Sequence, residues 1–379
     1  MPPPSATLAT VDVPPLSESA RAAIDTPALI IDLDRVDRAI ERMALAMAER
    51  HVALRPHAKT HKSLAVARRQ VEAGAAGLTV GTIGEAEVFA EGGFDDLFIA
   101  YPLVPLGPKA ARLRALAARA RLRLGVDSEV GVRAIAEAVG AERQNVGLAI
   151  EVDSGARRSG VAPEGVGAIA RAATEAGLTV RGVFTFGGHG YDSPAAHVDA
   201  AQDEVRSLTE AVAALRAAGV EPEVVSAGST PTALESARGV VTEERPGAYV
   251  FGDRQQVALG AIGRDAVAAF IAARVTSVNR AASRFVIDAG AKMLGKDVAP
   301  YITGHGEIPE LDGAVVARVA DYHGIVDVAA GSPLPEVGRV VLAVPNHICP
   351  VVNHVDTFVV IRGGEIVDTW PVDARGRNG

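Results

Sequence analysis

The chain has 379 residues, of which 48% are hydrophobic and 4% aromatic, a length that predicts two domains or a barrel with an appendage. A net charge of −8 without any basic run argues against nucleic acid or an anionic membrane surface as a partner. No apolar stretch reaches membrane-spanning length, the proline-rich start (1–15) does not resemble a secretion signal, and the single cysteine, Cys349, excludes an internal disulfide. We therefore expect a cytoplasmic protein with a disordered start.

One strand and one helix precede the regular part of the chain. The apolar run Ala28–Asp32 predicts a strand, and Asp34 is a suitable N-cap for a helix that reaches about Arg50. Eight short apolar strands then alternate with alanine-rich helices, over the length typical of a (β/α)8 barrel. The predicted strands are Val52–Arg55, Gly77–Val80, Asp96–Ala100, Leu122–Val126, Val146–Glu151, Leu178–Thr185, Glu223–Ala227 and Glu244–Tyr249. The predicted helices include Ser63–Ala73, Ile83–Glu91, Glu129–Val139 and Ala195–Ala217. The fold class is therefore α/β, with a TIM-type barrel over residues 34–262.

The pattern changes from about Asp265, where the helical repeats stop and β-rich segments alternate with Gly, Pro and Asp turns. The predicted strands there are Ala269–Val278, Arg284–Asp288, Ala314–Val319, Arg339–Val344, Thr357–Ile361 and Ile366–Trp370. We predict a C-terminal antiparallel β domain over residues 263–379, which strand 28–32 joins, and a domain boundary near Gly260–Arg264.

The segment Arg55–Lys62 (RPHAKTHK) follows the first barrel strand, and this fold carries its catalytic groups at the C-terminal ends of the strands. The chain has only five lysines, against many arginines: Lys59, Lys62, Lys109, Lys292 and Lys296. Lysine, unlike arginine, can lose its proton and form a Schiff base with an aldehyde. Lys59 is therefore a candidate for this chemistry, and a solvated basic loop is the alternative interpretation.

Polar and glycine-rich segments follow the later barrel strands. Residues 154–160 follow the fifth, 187–191 the sixth, 228–230 the seventh, and 246–249 end the eighth. The segment 228–230 precedes Pro231, which suits the first position of a helix whose free N–H groups would bind a phosphate. The same residues are also an ordinary helix N-cap. A phosphate site and a Schiff-base lysine in one barrel mouth would together predict pyridoxal phosphate.

Three motifs resemble the D-threonine aldolase and D-serine dehydratase-like family of fold-type III pyridoxal phosphate enzymes. They are RPHAKTHK after the first barrel strand, Gly-His-x-Tyr at 188–191, and Pro-Asn-His-x-Cys at 345–349. The resemblance covers nearly the whole chain, from Asp25 to Gly376. It implies an alanine racemase-like barrel joined to a β domain, generally as a homodimer, with pyridoxal 5'-phosphate and a divalent metal in one site.

The resemblance also implies roles for single residues. The candidates for contact with the cofactor are Lys59, Arg158, Tyr191, Gly228, Ser229, Thr230 and Tyr249. Arg158 matches an arginine near the phenolic oxygen of the cofactor. His189 is a candidate base, and a polar residue at the barrel rim is its other interpretation. Phe251 stands where racemases place a tyrosine on the phosphate, so that contact is lost or made by another residue.

His347 and Cys349 match the metal pair of the family. Two residues that are two positions apart on an extended segment point to the same side, so we expect both to reach one ion. Thiolate and imidazole suit zinc, whereas family members with aspartate at the position of Cys349 prefer manganese-like ions. A buried free cysteine beside a loop histidine is the alternative interpretation.

The resemblance implies two possible reactions. An aldolase would cleave D-threonine or a related 3-hydroxy-D-amino acid to glycine and an aldehyde, with His189 or a metal-bound water as base on the β-hydroxyl. A D-serine dehydratase would form pyruvate and ammonia, with Lys59 taking the α-proton. Both use the same residue types, and the likeness of the whole chain favours the aldolase. A cofactor-carrier protein would lack the segment after Asp265, and an alanine racemase would not need the metal pair.

Overall fold

The structure of the protein is a computed structural model, and it describes residues 11–379. Of the start predicted to be disordered, residues 1–10 lie outside the described residues. Val11 and Pro14 are buried, and Nη1 of Arg35 donates to the carbonyl oxygen of Asp12 at 2.7 Å. The prediction of disorder is therefore wrong for residues 11–15, because this segment packs on the core.

The described residues contain seventeen strands. In chain order they are β1 (Ala28–Asp32), β2 (Ala53–Leu54), β3 (Leu78–Val80), β4 (Asp96–Pro102), β5 (Arg121–Val126), β6 (Val146–Val152), β7 (Thr179–Thr185), β8 (Val224–Ala227), β9 (Glu243–Glu244), β10 (Ala269–Asn279), β11 (Arg284–Ile287), β12 (Gly306–Glu307), β13 (Val315–Val319), β14 (Gly324–Asp327), β15 (Val340–Pro345), β16 (Thr357–Arg362) and β17 (Glu365–Pro371).

The α-helices of the same residues are α1 (Glu18–Ala23), α2 (Leu33–Glu49), α3 (Leu64–Glu72), α4 (Ile83–Glu91), α5 (Pro108–Ala117), α6 (Glu129–Val139), α7 (Val166–Glu175), α8 (Ala196–Ala217), α9 (Ala233–Ser236), α10 (Arg254–Ala258), α11 (Ala291–Leu294) and α12 (Ile348–His354). Their starts follow ordinary capping chemistry. The hydroxyls of Thr82 and Ser128 accept from the backbone N–H groups of Glu85 and Gly131 and so begin α4 and α6. Within residues 11–379, no helix is long and apolar enough to cross a bilayer.

By its internal contacts the chain separates into two compact units. The barrel unit consists of Glu41–Lys59, Leu64–Gly247 and Gly376–Gly379. The β unit consists of the described residues up to Ile40, Thr60–Ser63 and Ala248–Arg375.

The barrel unit contains eight parallel strands in the order β2-β9-β8-β7-β6-β5-β4-β3. A parallel bridge between His57 and Thr79 joins the two ends of this order, so the sheet closes on itself. Sequential strands are neighbours, as in a (β/α)8 barrel. Inside the sheet, the rings of Phe98 and Phe184 meet edge to face at 5.1 Å. The predicted barrel is therefore confirmed.

The β unit contains one nine-stranded sheet in the order β11-β14-β13-β12-β15-β10-β1-β16-β17. An additional pairing of β10 with β11 closes six of these strands into a barrel-like sheet. Ala28–Asp32 pairs antiparallel with β10 and parallel with β16, outside the (β/α)8 barrel. The predicted antiparallel β domain is confirmed, and strands β12 and β14 were not predicted because each is only two to four residues long.

Three local predictions differ from the structure. The eighth barrel strand is only Glu243–Glu244, and Ala248–Val250 forms a 3-10 helix in place of the predicted strand end. Asp34 lies inside α2, whose first N–H groups are capped by Oδ1 of Asp32 at 3.0 and 3.2 Å. The C-terminal part of the β unit begins at Ala248, before the boundary predicted near Gly260–Arg264, because the Phe251 ring packs on Phe358 and its carbonyl oxygen accepts from the N–H of Ala268.

Candidate active site

The ring of Phe186 is the centre of one group of predicted residues in the barrel unit. Lys59, in a 3-10 turn two residues past the segment that closes the barrel, has Nζ 5.8 Å from the centroid of this ring. The Arg158 guanidinium carbon lies 4.8 Å from the same centroid, and the Tyr191 ring lies 6.3 Å away. Three predicted cofactor residues thus surround one aromatic ring. The sequence offered a signal for Phe186 only in its position directly before the glycines of the His189 segment.

His189 lies in a short 3-10 turn, Gly188–Tyr191. Its Nε2 is 3.2 Å from Oδ2 of Asp203, which projects from α8, and Arg206 pairs with the same carboxylate at 2.6 Å. The other ring nitrogen, Nδ1, is buried and has no hydrogen-bond partner in the described part of the chain. A carboxylate that orients a half-buried imidazole is the arrangement of a general base. Asp203 was not predicted from the sequence because it lies 14 residues after His189, within α8.

The segment Gly228–Thr230 follows β8, as predicted, but its hydrogen bonds differ from the prediction. The helix after it begins at Ala233, not at Pro231, and has only four residues. The N–H of Gly228 donates to Glu204 Oε1 at 3.1 Å, and that of Ser229 donates to Thr232 Oγ1 at 2.9 Å. Two of the backbone donors expected for a phosphate therefore have acceptors within the protein.

His347 and Cys349 are brought together in the β unit, although the segment is not extended as predicted. His347 is the N-cap residue of α12, and Cys349 lies in the first turn of that helix. Their side chains nevertheless share a hydrogen bond. Thr60 Oγ1 is 3.4 Å from Cys349 Sγ, and Nζ of Lys62 donates to Asn353 of α12 at 2.9 Å. The residues that follow Lys59 in the chain therefore bind the helix that carries the thiol.

Two carboxylates support the pair. Nδ1 of His347 lies 2.7 Å from Asp297 Oδ2, and Oδ2 of Asp253 accepts from the backbone N–H of Ile348 at 2.9 Å. Burial alone would lower the pKa of His347, but the hydrogen bond and charge of Cys349, with Asp253 and Asp297, raise this pKa to about 10. An imidazole whose second nitrogen is held by a carboxylate is the usual outer support of a metal-ligating histidine.

Asn346 fixes the backbone directly before this pair. Its Oδ1 accepts from Arg254 Nη1 at 2.6 Å, and its Nδ2 donates to the carbonyl oxygens of Asp297 and Gly304. A cavity of about 230 Å³ in the β unit adjoins His347. It is lined by Gln255, Asp297, Val298, Ala299, Ile302, Asn346 and His347.

The imidazole of His347 and the thiol of Cys349 are donor groups that suit zinc, and Asp297 is the carboxylate that supports the histidine. No cluster of three or more His, Cys, Asp or Glu side chains suited to a metal was found in residues 11–379, so water or substrate would have to complete the ligand shell.

The remaining predicted positions are buried in the β unit. Tyr249 lies in the 3-10 turn 248–250 and is 3% exposed, and Phe251 is fully buried with its ring 5.5 Å from that of Phe358. Phe251 is therefore a core residue, which explains the absence of a tyrosine hydroxyl at this position.

Comparison with known families agrees with both units. Residues 31–255 match the model of the alanine racemase N-terminal domain, and residues 268–361 match the putative serine dehydratase domain. The D-threo-3-hydroxyaspartate dehydratase of Delftia sp. (strain HT23) is 35% identical over 372 residues, which cover 92% of this chain and 97% of that protein. The chain belongs to the D-threonine aldolase and D-serine dehydratase-like family. The D-threonine aldolase of Arthrobacter sp. is 32% identical and covers 94% of each chain. Both names are those of lyases.

Solved structures of this family have the same fold. The D-threonine aldolase of Filomicrobium marinum superposes with a TM-score of 0.85 at 33% identity, over 97% of this chain and 99% of that one. The Delftia dehydratase has been solved as a cysteine-to-alanine mutant in a metal-free form and as a histidine-to-alanine mutant, each at 34% identity with a TM-score of 0.85. These cover 93% of this chain and 98% and 95% of theirs, and the two mutated positions are two residues apart.

Gly228 tests the packing of the predicted phosphate segment. Its φ of +87° costs a residue with a Cβ about 1–2 kcal/mol, and that Cβ would lie 1.6 Å from Glu244 Oε2. We expect Gly228→Ala to lower the free energy of unfolding by more than this backbone cost alone, measured by urea denaturation. Gly219→Ala is the matched control, since Gly219 has a φ of +83° but open space around it. Equal losses in the two variants would contradict the close packing at Gly228.

Proposed function

We propose that the protein is a pyridoxal phosphate-dependent lyase that cleaves the Cα–Cβ bond of 3-hydroxy-D-amino acids, with D-threonine giving glycine and acetaldehyde. The observation that carries the proposal is the placement of Lys59 and Arg158 on the ring of Phe186 in an alanine racemase-like barrel. Full-length similarity to an aldolase and a dehydratase supports it. The β unit, with its serine dehydratase domain match, argues against a cofactor carrier made of the barrel alone.

The residues present fit the cofactor. Lys59 supplies the amine, Arg158 a cation for the phenolic oxygen, and Phe186 and Tyr191 aromatic surfaces, whereas the segment Gly228–Thr230 is the candidate for the phosphate. When bound, pyridoxal phosphate supplies an aldehyde for an amine and a ring that accepts the electron pair left on Cα. We assign Arg158 to the phenolic oxygen because a charge-assisted hydrogen bond there would favour the oxygen's ionised form.

His347 and Cys349 would hold the divalent metal, and Asp297 would orient the histidine. A divalent ion there supplies a Lewis acid that lowers the pKa of a bound hydroxyl. The mutants of the Delftia dehydratase support this, because its histidine and cysteine have the same spacing as His347 and Cys349 and one of the two forms is metal-free. The identity of the metal stays a prediction. The thiolate of Cys349 favours zinc, and manganese is the other candidate.

His189 is the proposed base. Asp203 holds Nε2, so the imidazole can take the proton of the substrate hydroxyl at Nδ1, the buried nitrogen with no partner in the described residues. Loss of that proton turns the hydroxyl into the carbonyl of the aldehyde as the Cα–Cβ bond breaks. A proton returned to Cα completes glycine, so atoms and charges balance.

A dehydratase is the second candidate, because the Delftia relative carries that name. Dehydration needs a base on the α-proton, for which Lys59 suffices, and removes the β-hydroxyl as water. The His189–Asp203 pair favours the aldolase, which requires a base on the hydroxyl itself.

The test incubates the purified protein with D-threonine, D-serine and D-threo-3-hydroxyaspartate. We expect glycine and acetaldehyde from D-threonine, and no release of ammonia from D-serine. Formation of a 2-oxo acid and ammonia as the main products would establish the dehydratase instead. His189→Gln should lose cleavage while the cofactor stays bound, and unchanged turnover in this variant would contradict the assignment of the base.

A homodimer and a cytoplasmic location remain predictions from the resemblance and from the composition. Light scattering after size-exclusion chromatography measures the first directly. We expect a mass of twice the chain mass of 39.0 kDa.

A further inference from the structure

Two fully buried glutamates, Glu204 and Glu244, lie next to Gly228. Glu204 projects from α8 and is fully buried. Its Oε1 accepts from the backbone N–H of Gly187 at 2.9 Å and from that of Gly228 at 3.1 Å. One carboxylate oxygen therefore holds together the starts of both segments.

Glu244, in β9, approaches the same point. Ser236 donates to its Oε1 at 2.8 Å, and its Oε2 lies only 1.6 Å from where a Cβ on Gly228 would be. Oε2 of Glu204 and Oε2 of Glu244 are both buried, and neither has a hydrogen-bond partner among residues 11–379. A single proton between the two Oε2 atoms would give both of them a hydrogen bond and would remove one of the two negative charges.

The surrounding charges do not neutralise two anions here. Arg245 is the cation that faces both groups, and it also faces Glu243 and Glu151. Arg55 and Arg123 are each bound to Glu243 at 2.7 Å, so that carboxylate has its own partners. Glu151 also has Arg158 at 3.9 Å, so Arg245 is the one buried guanidinium that Glu204 and Glu244 share.

The pKa values of Glu204 and Glu244 agree with this shortage of positive charge. Burial raises the pKa of Glu204 and raises that of Glu244 well above its ordinary value, and the charge of Glu204 raises the latter further. Hydrogen bonds from Thr232 and from the backbone N–H groups of Gly187 and Gly228 lower the pKa of Glu204 again, so its pKa is raised less than that of Glu244.

We propose that Glu204 and Glu244 share one proton, with Glu244 as the donor, and that this acid pair positions the Gly187–Tyr191 and Gly228–Thr230 segments relative to each other. Both are positioning residues, since they act through the backbone that carries His189 and the predicted phosphate contacts. The part that concerns the phosphate rests on the proposed function. The shared proton is independent of the proposed function.

The sign of the pH dependence follows from the raised pKa. The folded protein holds this proton more tightly than the unfolded chain does, so the resulting stability is present at low pH and is lost as the pH rises through the folded-state pKa. Loss of the proton places two anions at Gly228 and loosens both segments. Glu244→Gln keeps a permanent N–H donor at the same position and should remove this loss of stability with rising pH.

The decisive measurement is infrared difference spectroscopy on protein labelled with carbon-13 glutamate. We expect the carbonyl band of a protonated carboxylic acid at neutral pH, its loss at alkaline pH, and its absence from Glu244→Gln. Glu235→Gln, the same exchange on an exposed side chain of α9, is the matched control and should keep the band. Labelled wild-type protein alone gives the pH series, so the test does not depend on the folding of a variant.

Cofactor affinity tests the positioning role. Glu244→Ala should weaken binding of pyridoxal phosphate roughly ten- to a hundredfold and that of pyridoxal, which lacks the phosphate, much less. Glu244→Gln should bind pyridoxal phosphate as the wild type does at neutral pH and lose its alkaline decline. Absence of the acid band, or an identical alkaline decline in Glu244→Gln, would overturn the proposal. If no form bound pyridoxal phosphate, the proposed function would fail, and the infrared band would still decide the acid pair.

Discussion

Replacing Lys59 by alanine should lower turnover of D-threonine by about 10²–10⁴-fold or more and remove the coloured cofactor species. Lys59 is the amine beside Phe186 and Arg158 in the barrel unit, and alanine offers no group that can react with an aldehyde. Reduction of the wild-type protein with borohydride, followed by peptide mass analysis, should find the cofactor covalently attached to Lys59.

Two further variants make the result specific. Lys59→Arg keeps the positive charge but cannot lose its proton, so it should be as inactive as Lys59→Ala. Lys109→Ala removes another exposed lysine of the barrel unit and should leave turnover and colour unchanged. Cofactor found on a different lysine after reduction, or normal turnover in Lys59→Ala, would refute the assignment.

The barrel was predictable because each parallel strand is a short apolar run that local sequence reveals. Val146–Val152 is buried along its whole length, which is why it appears as a continuous apolar segment. Glu243–Glu244 shows where this fails. This strand is charged and only two residues long, and Glu243 is tolerated in the interior because Arg55 and Arg123 each bind it at 2.7 Å. Such pairings join residues that are far apart in sequence.

The candidate site also contains residues that local sequence reveals and residues that it does not. Lys59, Arg158 and Tyr191 were predicted because they lie in recognisable motifs. Phe186, the ring that they surround, is an apolar residue outside those motifs, so nothing in its residue type marks it as part of a site. Asp203 and Asp253 are carboxylates on helices that read as ordinary surface or capping residues. His347 and Cys349 were predicted to be neighbours on an extended segment. They are neighbours for a different reason, because the first turn of a helix also brings positions i and i+2 near the same end.

Removing the metal should abolish carbon–carbon cleavage while the cofactor stays attached to Lys59. His347 and Cys349 belong to the β unit, whereas Lys59 and Arg158 belong to the barrel unit, so loss of the ion removes no group that we assign to the cofactor. We expect chelated protein to keep its cofactor absorbance and to regain activity with added zinc or manganese. His347→Ala should lose more than about 100-fold in metal affinity and resist rescue, and Asp297→Asn should lose about 10–100-fold, as expected for an outer support of a ligand.

Cys349→Asp separates a ligand from a merely structural thiol. Aspartate keeps the negative charge of a thiolate but is a harder donor, so activity should survive with metal preference shifted from zinc towards manganese. Cys349→Ser is the matched control: it keeps the size and the contact with Thr60 but offers only a neutral hydroxyl, and we expect weak metal binding. Metal content by elemental analysis and activity with each ion are the measurements. Full activity in protein shown to be metal-free would exclude the metal mechanism, and identical ion preference in Cys349→Asp and wild type would exclude the thiol as a ligand, because only a donor atom in contact with the ion sets its preference.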